Sequence, residues 1–408
     1  VANVKSSPLF NTNLISLAKT PSRNLWVDYL RSAITVLVIA HHSSLAYTTF
    51  ARFDKSAYIN STHPIVDTSR WIGLDIFENF NDVFFMSLMF LIGGLFLAKS
   101  IQKKGTILFI KDRFYRLFIP FLLLGTLFML IAYFPSYEVA HNSTDIIAYI
   151  RDFFTVEKWP VGPPWFIWVL FMFNFLFALF YPFYQKTGKK TDSLISHLAN
   201  RPFLFFITLF GITWILYVLM AYNVGAGIWI GVGPFDFQLS RIFLYFGYFS
   251  IGILIGKTDF NNKLLSKESA IVKRWWLWAL LSIAIYIVLI IITDTLTSMV
   301  KQNEIREFTG WMIYYSVYVG SCTLSCIAFI TMFRKLIHTP RLWWKSLSDN
   351  AYLIYLIHFI FVIWSQYLLL QYDIPAFSKF LVTFIVALSL SWSVSHQLRK
   401  FQIIKRYI

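Results

Sequence analysis

The stretch LWVDYLRSAITVLVIAHHSSLAYTTF, residues 25–50, decides how the rest of this chain is read. It is mostly apolar, and as a helix it is about 39 Å long, enough to cross a bilayer core of roughly 30 Å with some tilt. Yet it carries Asp28, Arg31, His41 and His42. Helical steps of about 100° bring His42 back to within about 20° of Arg31, some 16 Å further along the axis, so the two share one face. Thr35 and Val38 fill the stripe between them. Such side chains are costly inside a membrane, and the default reading is that they line a polar cavity and carry function.

The remainder of the chain agrees with a membrane reading. Of 408 residues, 57% are hydrophobic, 20% aromatic and only 14% charged, which sets the protein apart from soluble domains. The apolar runs have helical length and lack the alternation of a barrel strand, so the expected class is all-α, a polytopic membrane helical bundle. The formal charge of +16 does not point to nucleic acid, because the basic residues sit in short loops between apolar runs. Cys322 and Cys326 fall one helical turn apart in such a run, which suits helix packing rather than a disulfide framework or a zinc site. No metal is expected.

Ten spans are expected, at residues 25–50, 79–98, 115–134, 164–184, 203–222, 239–256, 275–293, 310–333, 350–370 and 377–397. They form one transmembrane domain, 25–397, between an N-terminal segment, 1–24, and a tail, 398–408. The chain begins with Val1, and no secretory signal is expected before the first span. Lys99, Lys103, Lys104, Lys111, Arg113 and Arg116 share one side with the clusters Lys186 to Arg201, Lys257 to Arg274, Arg334 to Lys345 and Arg399 to Arg406. This bias puts both termini in the cytoplasm. Three outward loops, 51–78, 135–163 and 294–309, are long. The second ends in WPVGPPWF, which reads equally as a cap over a cavity mouth or as an ordinary interfacial loop.

Several residues could carry chemistry. A neutral imidazole at His42 can take a proton from a hydroxyl near neutral pH, and His41 points about 100° away toward another helix. Arg31 needs an acid or an anionic ligand, and Asp28 one turn away is the obvious acid. Arg113 and Arg116 read equally as leaflet anchors or as a fork for phosphate. Glu78, Asn79, Asn81 and Asp82 begin the second span, where they could hold a polar acceptor or cap the helix. Gly93 and Gly94 would allow close approach of a neighbour or ligand. In the ninth span, Tyr352, Tyr355 and His358 recur at spacings of three and are expected along one side, with a tyrosine-satisfied core histidine as the structural alternative.

In combination these features resemble the acyltransferase-3 family of integral membrane proteins, whose hallmark is an arginine followed after ten residues by a histidine, here Arg31 and His42. Similar too are the glycine motif at Gly93 and Gly94, the pair Arg113 and Arg116 before Leu117 to Pro120, the PxWFxW pattern of residues 163–168, and the motif SDNAYLIYLIH of residues 348–358. Gly93 stands where the family usually has serine. With no fused hydrolase-like domain expected, the chain is most similar to the stand-alone branch, including the glucan biosynthesis protein C type. The resemblance implies transfer of an acetyl or succinyl group from cytoplasmic acyl-CoA to a hydroxyl of an extracytoplasmic glycan or glycolipid. It implies catalytic roles for His42 and Arg31, and donor binding by Arg113, Arg116, Arg31, Tyr352 and His358. Acceptor binding would fall to Glu78, Asn81, Asp82 and Trp165. It further implies a bacterial inner membrane, the lipid bilayer as partner, and room for a homodimer. The competing class is a transporter or flippase with Arg31 and His42 as substrate and proton sites.

Overall fold

In the computed structural model, the described residues are 24–186, 188–402 and 404. Most of the expected N-terminal segment, the end of the tail and the side chains of Lys189 and Lys190 lie outside them. The first half contains α1 (Leu25–Leu45), α2 (Ile72–Gly94), α3 (Leu97–Lys104), α4 (Thr106–Arg113), α5 (Thr126–His141), α6 (Ile146–Thr155) and α7 (Trp165–Leu179). After the short α8 (Tyr181–Lys186) and α9 (Gly188–Ala199) come α10 (Pro202–Val224) and a two-stranded hairpin, β1 (Trp229–Ile230) against β2 (Phe237–Gln238). The chain closes with α11 (Ile242–Lys257), α12 (Ala270–Lys273), α13 (Trp275–Lys301), α14 (Glu307–Leu336), α15 (Leu342–Leu369) and α16 (Ala376–Leu398).

Among the described residues, eight helices are long and apolar enough to cross a membrane. The fold is therefore an all-α polytopic bundle. Helix α1, apolar apart from Asp28, Arg31, His41, His42 and small hydroxyl residues, and the 15-residue α7 supply the other two helices of the ten expected. Boundaries differ where polar residues extend a helix beyond its apolar run. The second helix starts at Ile72 rather than 79, because Asp75, Glu78 and Asn79 continue its first turns. The expected loop 135–163 is helical in most of its length. Pro135 lies inside α5, and α6 follows from an N-cap at Asp145, whose carboxylate accepts from the Ile147 and Ala148 amides. Between α4 and α5 the chain passes through two wide turns, at Phe114–Phe118 and Phe121–Gly125.

Helix α1 runs through the middle of the bundle, packed against α2, α14, α15 and α16. Its alignment with α15 is set by polar contacts: Ser32 Oγ lies 3.0 Å from Ser348 Oγ, and Trp344 donates to Ser32 at 3.0 Å while stacking on Tyr29. Helix α2 touches α11 backbone to backbone. A Cβ on Gly94 would strike the Phe249 carbonyl, and one on Gly252 or Gly256 would strike the carbonyl of Leu91 or Leu95. Gly94 thus serves close helix approach. Cys322 and Cys326 are free and buried, with Cys322 Sγ 3.5 Å from the Tyr248 hydroxyl.

Candidate functional site: two chambers joined at Tyr355

Two polar chambers lie along α1, one at each end of the stripe from Arg31 to His42. The first has a cavity volume of about 490 Å³ and is lined by Arg31, Arg113, Arg116 and Arg399, with Asp28 and Asp349 as counter-charges and Thr35, Gly93, Asn174 and Tyr352 between them. The second has a cavity volume of about 680 Å³ and is lined by His41, His42, His63, Glu78, Asp82, Arg241 and a set of aromatic rings. Among the described residues, Tyr355 lines both chambers and no other residue does.

The guanidinium chamber draws on α1, α2, α4 with the turn after it, α7, α15 and the end of α16. Arg31 pairs with Asp28 at 3.4 Å, as its spacing foretold. Arg116 pairs with Asp112 at 3.2 Å, and its carbonyl accepts from the Tyr352 hydroxyl at 3.0 Å. Arg113 lies over the Phe109 ring and, among the described residues, its Nε has no hydrogen-bond partner, and neither has the buried Nε of Arg399, whose Nη1 donates to the Asp349 carbonyl. Arg399 belongs to the segment read from sequence as a basic tail. Only its return to the chamber, beside the start of α15, reveals it.

In the imidazole chamber His42 is at the centre. Its ring centroid is 5.1 Å from that of His41, 5.4 Å from His358 and 6.5 Å from His63, with Phe359 packed edge-on at 5.3 Å. His358 Nδ1 lies 2.7 Å from the Tyr355 carbonyl, which can only accept, so Nδ1 carries the proton and the unpartnered Nε2 carries the lone pair. Among the described residues, His42 Nδ1 and His41 Nδ1 are likewise unpartnered and buried. His41 turns to α2, where its Nε2 lies 3.7 Å from Glu78. Asp82 is held by Arg241 in a two-pronged pair, at 2.8 and 2.5 Å, and the guanidinium also faces the Tyr318 ring at 5.5 Å.

Cap loops roof this chamber. Residues 160–163 and the segment 58–64 line it, Glu157 accepts from the amides of Tyr58 at 3.0 Å and Ile59 at 2.5 Å, and Ser136 donates to the Pro64 carbonyl. Burial pushes the Glu157 carboxyl up to about 7 and holds the His63 imidazole down to about 3. His63 is therefore neutral at physiological pH. Asp236, beside the hairpin, is also raised by burial.

Several of the residues singled out from sequence do meet. Arg31, Arg113, Arg116 and Tyr352 share the first chamber, while His42, Glu78, Asp82 and Trp165 share the second. His358 does not join Tyr352 as expected. Six helical residues raise it about 9 Å and turn it about 120°, which carries it past the arginines to His42. Asn81 is buried and lines neither chamber. Sequence reading passed over His63, Arg241, Gln366 and Arg399. Of these, the intramembrane Arg241 carried a signal, being a charge at the head of an apolar run.

A polytopic helical membrane protein with one guanidinium-rich and one imidazole-rich chamber, set end to end, is the class that fold and site define. The chain belongs to the acyltransferase-3 family: the family model, described as an acyltransferase domain, matches residues 24–396. It is thus a membrane acyltransferase in the general sense. No curated protein and no solved structure matches the chain.

Proposed function

We propose that the protein is a membrane-bound O-acyltransferase that takes an acetyl or succinyl group from cytoplasmic acyl-CoA and delivers it to a hydroxyl of an extracytoplasmic glycan or glycolipid. One observation carries the reading: among the described residues, the arginine-lined and histidine-lined chambers share a single side chain, Tyr355. Donor phosphates bind Arg31, Arg113 and Arg116, with Tyr352 beside them, as planar guanidiniums suit phosphate. The pantetheine arm then spans the distance of about 16 Å to His42. The acceptor enters from the opposite side, between Trp165, Glu78 and Asp82, where an aromatic ring and carboxylates offer a sugar a stacking face and hydrogen-bond acceptors. His42 removes the acceptor proton as general base. The bias of basic loop residues supports an arginine chamber on the cytoplasmic side of a bacterial inner membrane.

The test uses purified protein in vesicles with labelled acyl-CoA and a periplasmic glycan extract. Thiol release with label on the glycan is the expected result, and His42→Ala abolishes both. Equal labelling by wild type and His42→Ala overturns the reading. Two chambers separated by a wall also suit a carrier, and movement of an unmodified solute without thiol release would favour that class.

A further inference from the structure

Acyl transfer needs a group to stabilise the oxyanion that forms on the thioester carbonyl. Its position is constrained: a donor from one chamber and an acceptor hydroxyl from the other can meet only where the chambers meet, and that wall is Tyr355. Tyr355 is buried, its ring lies 5.9 Å from that of His358, and His358 in turn lies 5.4 Å from His42. The phenol donates to the carbonyl oxygen of Pro163, and the Phe166 ring packs edge-on against it at 5.9 Å. Its hydroxyl is thus aimed at a carbonyl oxygen already, at the place where the reacting carbonyl must come. Other tyrosines do not share this place. Tyr58, Tyr133 and Tyr245 border only the imidazole chamber, and Tyr352 only the guanidinium chamber.

Resting on the acyl-transfer reading, we propose that Tyr355 is the oxyanion donor, exchanging the Pro163 carbonyl for the thioester carbonyl as the pantetheine arm passes between the chambers. In the step itself, the acceptor oxygen bonds to the thioester carbon and the carbon–sulfur bond breaks. The hydroxyl proton passes to His42 and then to the departing CoA thiolate. Tyr355 keeps its own proton throughout and supplies only the hydrogen bond.

The deciding variant is Tyr355→Phe, which retains the ring and the wall and removes the donor. Its kcat should fall roughly 10²- to 10³-fold, the usual cost of one oxyanion donor, while CoA affinity and the KM for acyl-CoA stay within about 3-fold. A kcat within about 3-fold of wild type, or a loss confined to KM, overturns the proposal and leaves the acyl-transfer reading standing. No transfer by the wild type overturns both. An infrared measurement on the wild-type protein reads the contact without any variant: the carbonyl band of bound ¹³C-labelled acetyl-CoA should move to lower wavenumber than in solution. An unshifted band also overturns the proposal.

Discussion

Gln366 ties His63 to the backbone of His42. Its amide nitrogen donates to the His42 carbonyl at 3.0 Å and to the Ser43 carbonyl at 3.3 Å, and its oxygen lies 2.8 Å from His63 Nε2. Because that oxygen can only accept, His63 carries its proton on Nε2 and turns Nδ1 toward its other surroundings. A side chain from α15 thereby fixes both the last turns of α1 and the roof of the imidazole chamber.

Gln366→Leu should therefore act on roof and floor together. It leaves the His63 donor buried without its partner, at a cost of about 1–3 kcal/mol. Thermal unfolding in nanodiscs should show the loss, and acyl transfer should fall with it. Gln366→Glu should be no milder, since it sets a second oxygen against two carbonyl oxygens. A melting temperature unchanged in both variants would remove Gln366 from this role.

The Asp82–Arg241 pair makes a sharper prediction. Arg241 is buried and its partner is partly open to the chamber, so Asp82→Asn leaves a guanidinium without its counter-charge. Breaking such a pair costs about 3 kcal/mol, and the Asp82→Asn, Arg241→Gln double variant should recover part of it. A double-mutant cycle by thermal unfolding gives the coupling. Strict additivity would mean that the two side chains do not stabilise one another.

How much of this was legible in the sequence follows from what helical periodicity can carry. The angle between Arg31 and His42 is a property of one helix, and so their assignment to one stripe held. The pair of Arg31 with Asp28 is equally local. Arg241, by contrast, finds Asp82 across 159 positions, and Gln366 finds His42 across 324, through packing that no local pattern encodes. Tyr352 and His358 part for a different reason: steps of three drift about 60° each, so two of them leave the starting face, and His358 instead meets the Tyr355 carbonyl, in line with the alternative of a core histidine satisfied by a tyrosine. The cap over the chamber was left open by composition, because prolines and tryptophans serve an interface and a roof equally well. It was decided by Glu157 reaching the amides of Tyr58 and Ile59.

The guanidinium chamber predicts a salt-dependent donor site. Changing Arg113 and Arg116 together to Gln should weaken CoA binding at least about 10-fold at low ionic strength, with a smaller difference at high salt, where screening shortens the reach of the lost charges. Arg399→Gln should weaken binding in the same direction, because its guanidinium lines the same chamber. Calorimetric titration with CoA at two salt concentrations checks this. Affinity unchanged at both would return Arg113 and Arg116 to the role of leaflet anchors.

The roof loops should respond to pH in two opposed ways. His63 sits near 3 when docked against an ordinary value of 6.5, so the released loop binds a proton that the docked loop refuses, and docking weakens as pH falls from about 6.5 toward about 3. Glu157 sits near 7 when docked against an ordinary 4.5, so the docked form holds the extra proton. Its contribution is complete below about 4.5 and is lost as pH rises through about 7. The two effects offset each other between about 4.5 and 6.5, and single variants should separate them. In His63→Asn, docking should weaken steadily as pH rises through that window, and in Glu157→Gln it should strengthen. Amide hydrogen exchange across residues 58–63, corrected for its intrinsic pH dependence, reads the docking equilibrium directly. Flat profiles in both variants would show that neither group titrates in concert with the roof.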